Sequence, residues 1–285
     1  MKMLIIALAA LSLTAFAHDH SSGHTLVRLS ASTEVKDYLR SQGADIFGVN
    51  IKENTIEAYL SNEQMVELRS LKAPFHFVIP NTLLRGPDPE YMTSAEVEAR
   101  LRDYAARFPD LAEVSKMGDS LEGRSIWAIK ISDQVTQRDL TEPVAFFNGM
   151  HHAREIMTPE VTMDIVDYLL TNYNSDPIVR QWVDNNEIWV VPMFNVDGNN
   201  KVWNGDAMWR KNGRGVDINR NYTYAWNSCR GSSGMPWAQD YRGPSAGSEP
   251  ETQAMMKFVT GIRPVFSISY HSYSELVIYP YGCSP

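Results

Sequence analysis

The chain has 285 residues, 44% of them hydrophobic and 21% charged, enough for one large domain or a large and a small one. Its formal net charge of −8 argues against a general nucleic-acid binder, which carries a basic face. After the first residues no apolar stretch is long enough to span the roughly 30 Å of a bilayer's hydrocarbon core.

Lys2 precedes an apolar run from Met3 to Leu13, closed by Thr14-Ala15-Phe16-Ala17. A positive start, a short apolar core and an Ala-x-Ala end describe a secretory signal peptide over residues 1–17. The mature protein is therefore expected to be secreted, extracellular or periplasmic, with no stable membrane anchor after cleavage. His18, His20 and His24 then lie in a polar stretch that reads as a processed terminus rather than a metal site. The only cysteines are Cys229 and Cys283, and export would permit a bridge between them.

Residues 18–82 are expected to form a small α+β domain. The pattern predicts strands at 25–29, 46–51, 55–60 and 75–79. Helices are predicted at 33–42, capped by Ser32 or Thr33, and at 61–71, with Ser61 as cap and Glu63 in the first turn. This βαββαβ order suits helices on one antiparallel sheet, and no catalytic cluster appears in it. Residues 83–90, with Arg85-Gly86-Pro87-Asp88-Pro89, read as a linker.

From residue 91 to 285 strands and helices alternate. Helices are predicted at 93–108 with Ser94 as cap, at 159–173 with a stripe of Val161, Ile165, Tyr168 and Leu169, and at 249–258. Apolar strands are predicted at 126–131, 144–147, 187–193, 265–270 and 276–279. Such strands suit an α/β fold, a mixed central sheet with helices on both faces.

Three clusters carry candidate chemistry. The first, Gly149-Met-His-His-Ala-Arg-Glu155, follows one strand and precedes a helix. Ligand sites of open α/β sheets lie at the carboxyl ends of strands. The two-residue gap between His152 and Glu155 lets one turn bring both to a metal, although a lone H-x-x-E also arises in surface turns. The second is His271 at the end of another strand, which completes a His₂Glu zinc set with an open position, or is simply a hydrogen-bonded edge histidine. The third runs from Trp209 to Asn221 and concentrates Arg210, Arg214, Asp217, Asn219 and Arg220. Arginine forks grip carboxylates at two points, whereas a run of this kind standing alone is more often a solvated loop.

Taken in order, these pieces resemble the metallocarboxypeptidases of the carboxypeptidase A type. The matching segments are His152-Ala-Arg-Glu155, Trp209-Arg210-Lys211, Gly215-Val-Asp-Ile-Asn-Arg-Asn221, Tyr241-Arg-Gly-Pro-Ser-Ala-Gly-Ser-Glu249 and His271-Ser-Tyr-Ser274 followed by Tyr279-Pro-Tyr-Gly282. Leu121-Glu-Gly-Arg-Ser125 resembles the family's early turn. The resemblance implies that His152, Glu155 and His271 ligate one zinc ion. It implies that Asn219 and Arg220 hold the substrate's terminal carboxylate, and that Arg210 stabilises the oxyanion. Arg154 would contact the peptide backbone, Tyr273 would line a subsite, and Asp217 would fix the His152 tautomer. His151 is not expected to be a ligand. Residues 25–82 would correspond to the family's inhibitory activation segment.

The resemblance fails at one point. The family's general base is a glutamate on a late strand, and here only Ser272 to Pro285 follow the third ligand, with Glu275 as their sole acid. The catalytic domain is therefore expected to be incomplete at the C-terminus. The expected function is zinc-dependent hydrolysis of C-terminal peptide bonds in peptides or proteins. The alternatives are a zinc amidase of the same fold acting on cell-wall peptides, and a non-catalytic zinc or peptide-binding module.

Overall fold

The alternation from residue 25 onward places side chains on opposite sides of a strand, so one side can meet helices while the other meets solvent. A computed structural model describes residues 24–71, 73–78, 87–228, 231–272 and 276–279. The expected signal peptide, residues 83–86 of the expected linker and both cysteines lie outside these.

Strands β1 (His24–Ser30), β2 (Asp45–Asn50), β3 (Thr55–Ser61) and β4 (Phe75–Phe77) form an antiparallel sheet in the order β2-β3-β1-β4. Helices α1 (Thr33–Ser41) and α2 (Asn62–Ser70) pack on it. Each begins where a hydroxyl can satisfy an orphan backbone N–H. The Ser32 side chain accepts from Val35 N, and Ser61 and Gln64 form a reciprocal capping box. Val27, Leu29, Val35, Leu39, Leu60 and Leu68 close the core. A separate apolar contact joins Leu26 and Tyr59 of this unit to Met208 of the larger one.

The larger unit opens with α3 (Ser94–Arg107). Its cap is Thr93, not Ser94, because Thr93 and Glu96 make the capping box. Strands β5 (Ala112–Asp119), β6 (Ser125–Ile131), β7 (Val144–Gly149), β8 (Glu187–Val191) and β9 (Phe266–Tyr270) form a sheet in the order β5-β6-β8-β7-β9. It is mixed: β5, β6 and β8 pair antiparallel, while β7 runs parallel to both β8 and β9. Helices α4 (Met157–Asn172), α5 (Pro177–Asp184), α6 (Val196–Trp203) and α7 (Pro250–Ile262) complete the unit. Phe258 of α7 meets Phe146 and Trp189, which pair across β7 and β8.

Two further sequence expectations are corrected, and three elements are added. Helix α4 begins at Met157, and its buried face is Thr158, Thr162, Met163, Val166, Leu169 and Leu170. Val161 and Tyr168 are exposed. The buried face takes in threonines, because the Thr162 hydroxyl donates to the carbonyls of Thr158 and Pro159 and is buried without penalty. Residues 276–279 form no strand, and all four are exposed. Strand β5 has no sequence signature because, as a bulged edge strand of mixed polarity, it lacks an apolar run. Helices α5 and α6 are too short to show a period. Among the described residues no helix is long and apolar enough to cross a membrane.

Candidate metal centre

A polar cluster at a sheet end needs the backbone to leave each strand along a fixed path. Strand β7 ends at Gly149, where an added Cβ would lie 2.8 Å from the Pro192 carbonyl oxygen and 2.9 Å from that of Thr158. The next residue, Met150, takes the left-handed conformation at φ 58°, rare for a residue with a side chain. Its N–H donates to the Thr158 hydroxyl at 2.8 Å, and its side chain is fully buried, so the surroundings hold the strained turn. His151, His152 and Glu155 follow at once.

His152 and Glu155 come from this turn, and His271 from the residue after β9. Their ligand atoms lie within 4.8 Å of one another. His152 Nδ1 stands 2.7 Å from Glu155 Oε1, His271 Nδ1 stands 2.9 Å from Glu155 Oε2, and the two Nδ1 atoms are 3.2 Å apart. Donors about 2.0–2.2 Å from a tetrahedral zinc are roughly 3.3 Å from each other. Two imidazoles and a carboxylate converging at these separations therefore fit that ion. His152 and Glu155 are buried, while the His271 side chain retains 33% of its exposure. Burial works to raise the Glu155 carboxyl, but the two histidines hold it well below the usual carboxylate range.

Behind His152 lies Asp217, fully buried, its Oδ1 3.4 Å from His152 Nε2. That is ion-pair distance, and His152 Nε2 has no hydrogen-bond partner at the present separation. Asp217 Oδ2 accepts from both Nε and Nη2 of Arg210, at 3.1 and 2.8 Å. The guanidinium overcomes burial and keeps Asp217 well below its ordinary value, while Asp217 and Asp45 together raise Arg210. The backbones are stitched too: Ala153 N donates to the Arg210 carbonyl, and buried Asn195 donates to the carbonyls of His151 and Lys211.

A short 3₁₀ turn, Ile218–Arg220, opens on Asp217, which accepts from Asn219 N. Arg220 Nε donates to the Gly231 carbonyl at 2.7 Å and Nη1 to that of Asn219. Among the described residues Arg220 forms no ion pair, so its remaining fork is available to an anion. Lys211, buried, donates to the carbonyls of Pro236 and Ala238 and so fixes the loop that follows.

Sequence reasoning missed Asp45. At the start of β2 it reaches from the small unit to Arg154 Nη2 at 2.7 Å and to Arg210 Nη1 at 3.4 Å. Burial would raise its carboxyl, yet the two arginines hold it low. Nothing in Gly43-Ala44-Asp45 marks it, because its partners are more than a hundred residues away. Beside it, a crevice of about 1310 Å³ separates the units, with Tyr59 and Asp45 on one wall and Trp237 and Asp240 on the other. His151 is not among the converging ligand atoms; burial holds its imidazole well below the usual range, so it is neutral. Tyr273 and Glu275 lie outside the described residues.

The zinc carboxypeptidase family model matches residues 97–285. Carboxypeptidase B of Rattus norvegicus is 25% identical over 98% of this chain and 75% of its own length. Metallocarboxypeptidase A of Trichophyton tonsurans is 35% identical over 65% of this chain and 46% of the fungal protein, and mast cell carboxypeptidase A of Homo sapiens 30% over 62% and 43%. The chain thus spans under half the length of the latter two. Among solved structures, carboxypeptidase A from Helicoverpa armigera superposes with a TM-score of 0.77 at 23% identity, covering 94% of this chain and 75% of the insect one. Thrombin activatable fibrinolysis inhibitor gives 0.73 at 20%, covering 92% and 75%. At such identities the superpositions establish the fold.

Proposed function

The chain belongs to the zinc carboxypeptidase family, and from that premise we propose that it is a metallocarboxypeptidase that binds one zinc ion through His152, Glu155 and His271 and acts on the C-terminal ends of peptides. The observation that carries this reading is the convergence of three donors from two distant segments beside Arg210 and the free fork of Arg220. Zinc held there supplies Lewis acidity and lowers the pKa of a coordinated water.

The chain's own residues supply the remainder. Arg220 and Asn219 anchor a terminal carboxylate by charge-assisted hydrogen bonds, which selects substrates with a free C-terminus. Arg210, pre-set by Asp217, presents its guanidinium where negative charge develops on the scissile carbonyl once Asp45 has left it. Arg154 orients the peptide backbone, and Tyr273 lines a neighbouring subsite. Asp217 orients His152. Proton transfer from the attacking water requires a further carboxylate. Glu155 serves as a ligand and Asp217 is held by Arg210, so turnover depends on an acid beyond these two.

The unit of residues 18–82 acts as an inhibitory segment. What supports this is Asp45, whose carboxylate occupies the two guanidinium groups that would face substrate. A signal peptide over residues 1–17 and release from the cell belong to the same reading, with cleavage in the 83–90 linker freeing residues 91–285.

The test is metal analysis of the folded protein. One zinc per chain is expected, and His271→Ala should abolish it. A metal-free wild type, or unchanged zinc in that variant, overturns the reading.

A further inference from the structure

Ligands that come from different segments must be held in register by something other than the metal, or the site would have to be assembled from a loose ensemble at each binding event. Buried His151 and Asn148, half-buried Tyr222 and exposed Ser269 form one continuous polar chain beside His152 and His271. Tyr222 Oη lies 2.8 Å from His151 Nε2, and His151 Nδ1 lies 3.2 Å from Ser269 Oγ. The Ser269 hydroxyl donates to Asn148 Oδ1 at 2.9 Å, and Asn148 Nδ2 donates to the Ile268 carbonyl at 3.4 Å.

The direction of these bonds is fixed from the far end. Asn148 uses its amide N–H on a carbonyl, so its Oδ1 must accept. Ser269 spends its single proton there, so its oxygen must accept from His151 Nδ1–H. That leaves His151 Nε2 bare, to accept the Tyr222 proton. Every member is satisfied in this arrangement, the Ser269 hydroxyl also lies 3.5 Å from His271 Nε2, and such directional chains rigidify their surroundings.

The chain joins the three segments that carry the site. Asn148 sits at the end of β7, four residues before His152, and pairs in register with Ser269 of β9, two residues before His271. Tyr222 follows the Asp217–Arg220 turn. The His151 ring also stacks on His271, with centroids 5.6 Å apart at 28°, and packs on Phe194 at 4.7 Å.

We propose that Tyr222, His151, Ser269 and Asn148 are positioning residues that set the separation of His271 from the His152–Glu155 pair. This rests on the zinc reading above. The network touches the ligands from behind and takes no part in chemistry.

The experiment compares wild type, Tyr222→Phe, Ser269→Ala and Ser269→Thr. It measures zinc affinity by chelator competition, the visible spectrum of the cobalt-substituted protein, and thermal unfolding of the metal-free protein. Tyr222→Phe and Ser269→Ala should each weaken zinc binding about ten-fold and shift the cobalt bands, as loss of outer partners does at other metal sites. Unfolding of the metal-free protein should barely move. Ser269→Thr keeps the hydroxyl and should restore wild-type affinity and spectrum. Wild-type zinc affinity and cobalt spectrum in both deletion variants overturn the proposal, as does a loss of metal-free stability without any loss of affinity. If Tyr222→Phe does not fold, the Ser269→Ala and Ser269→Thr pair decides alone. A wild type that binds no zinc removes the metal reading itself, whereas a loaded wild type with indifferent variants removes only this one.

Discussion

The small N-terminal unit and the sheet end of the larger unit are stabilised in different ways. The first closes around aliphatic side chains, Val27, Leu29, Leu39, Leu60 and Leu68, and reaches into the site by charge pairing through Asp45. The second buries Glu155, Arg210, Asp217, Asn195 and two histidines within a few ångströms. Apolar packing is graded and tolerant of substitution, while a buried charge network is intact or costly. The two regions should therefore respond differently to the same kind of perturbation.

Removing one member of the charge network should have the largest effect. Asp217→Ala leaves Arg210 buried and short of its main partner, and about 3–5 kcal/mol of stability should be lost. Denaturant unfolding of the larger unit would reveal it; a loss below about 1 kcal/mol would mean that the two regions are not stabilised differently. Leu29→Ala should cost the N-terminal unit about 2–4 kcal/mol through cavity formation. Zinc content should stay unchanged, which separates the regions in one measurement.

Asp45→Asn probes the bridge between them. Replacing a buried, paired carboxylate should weaken docking of the N-terminal unit by about 2 kcal/mol or more, visible as faster hydrogen exchange at β2 with the larger unit undisturbed. The acid response follows from the same residue. Burial pushes Asp45 up, but Arg154 and Arg210 prevail and hold it below the value near 3.9 of a free aspartate. A lowered folded value means the contact is fully favourable above about pH 4 and fades as pH falls through the docked value. Exchange at β2 should therefore rise in acid for the wild type, and Asp45→Asn should lack that step. Smallest of all, Thr93→Ala should cost about 1 kcal/mol by removing the cap of α3.

The contrast also explains what could be read in advance. The N-terminal unit was legible nearly element by element, since alternation and the Ser32 and Ser61 caps are local signals. Within the site, His152 and Glu155 were legible from their two-residue gap, and His271 through its place in an ordered set of motifs. Arg210 and Asp217 were placed by resemblance, and their mutual fork became visible only in three dimensions. Asp45, Tyr222 and Ser269 were not legible, because what defines each is a partner remote in sequence. The missed strand β5 and the misphased stripe of α4 have another cause: an edge strand need not be apolar, and a threonine can be buried by bonding to its own helix.

Asp45 has one more consequence. Any anionic ligand that pairs with Arg154 and Arg210 must first displace this carboxylate, so the ligand and the N-terminal unit are mutually antagonistic occupants. Thermodynamic linkage makes that antagonism reciprocal: by whatever factor the docked unit weakens the ligand, the ligand loosens the unit by the same factor. A tightly held anion would thus act as a wedge between the two units.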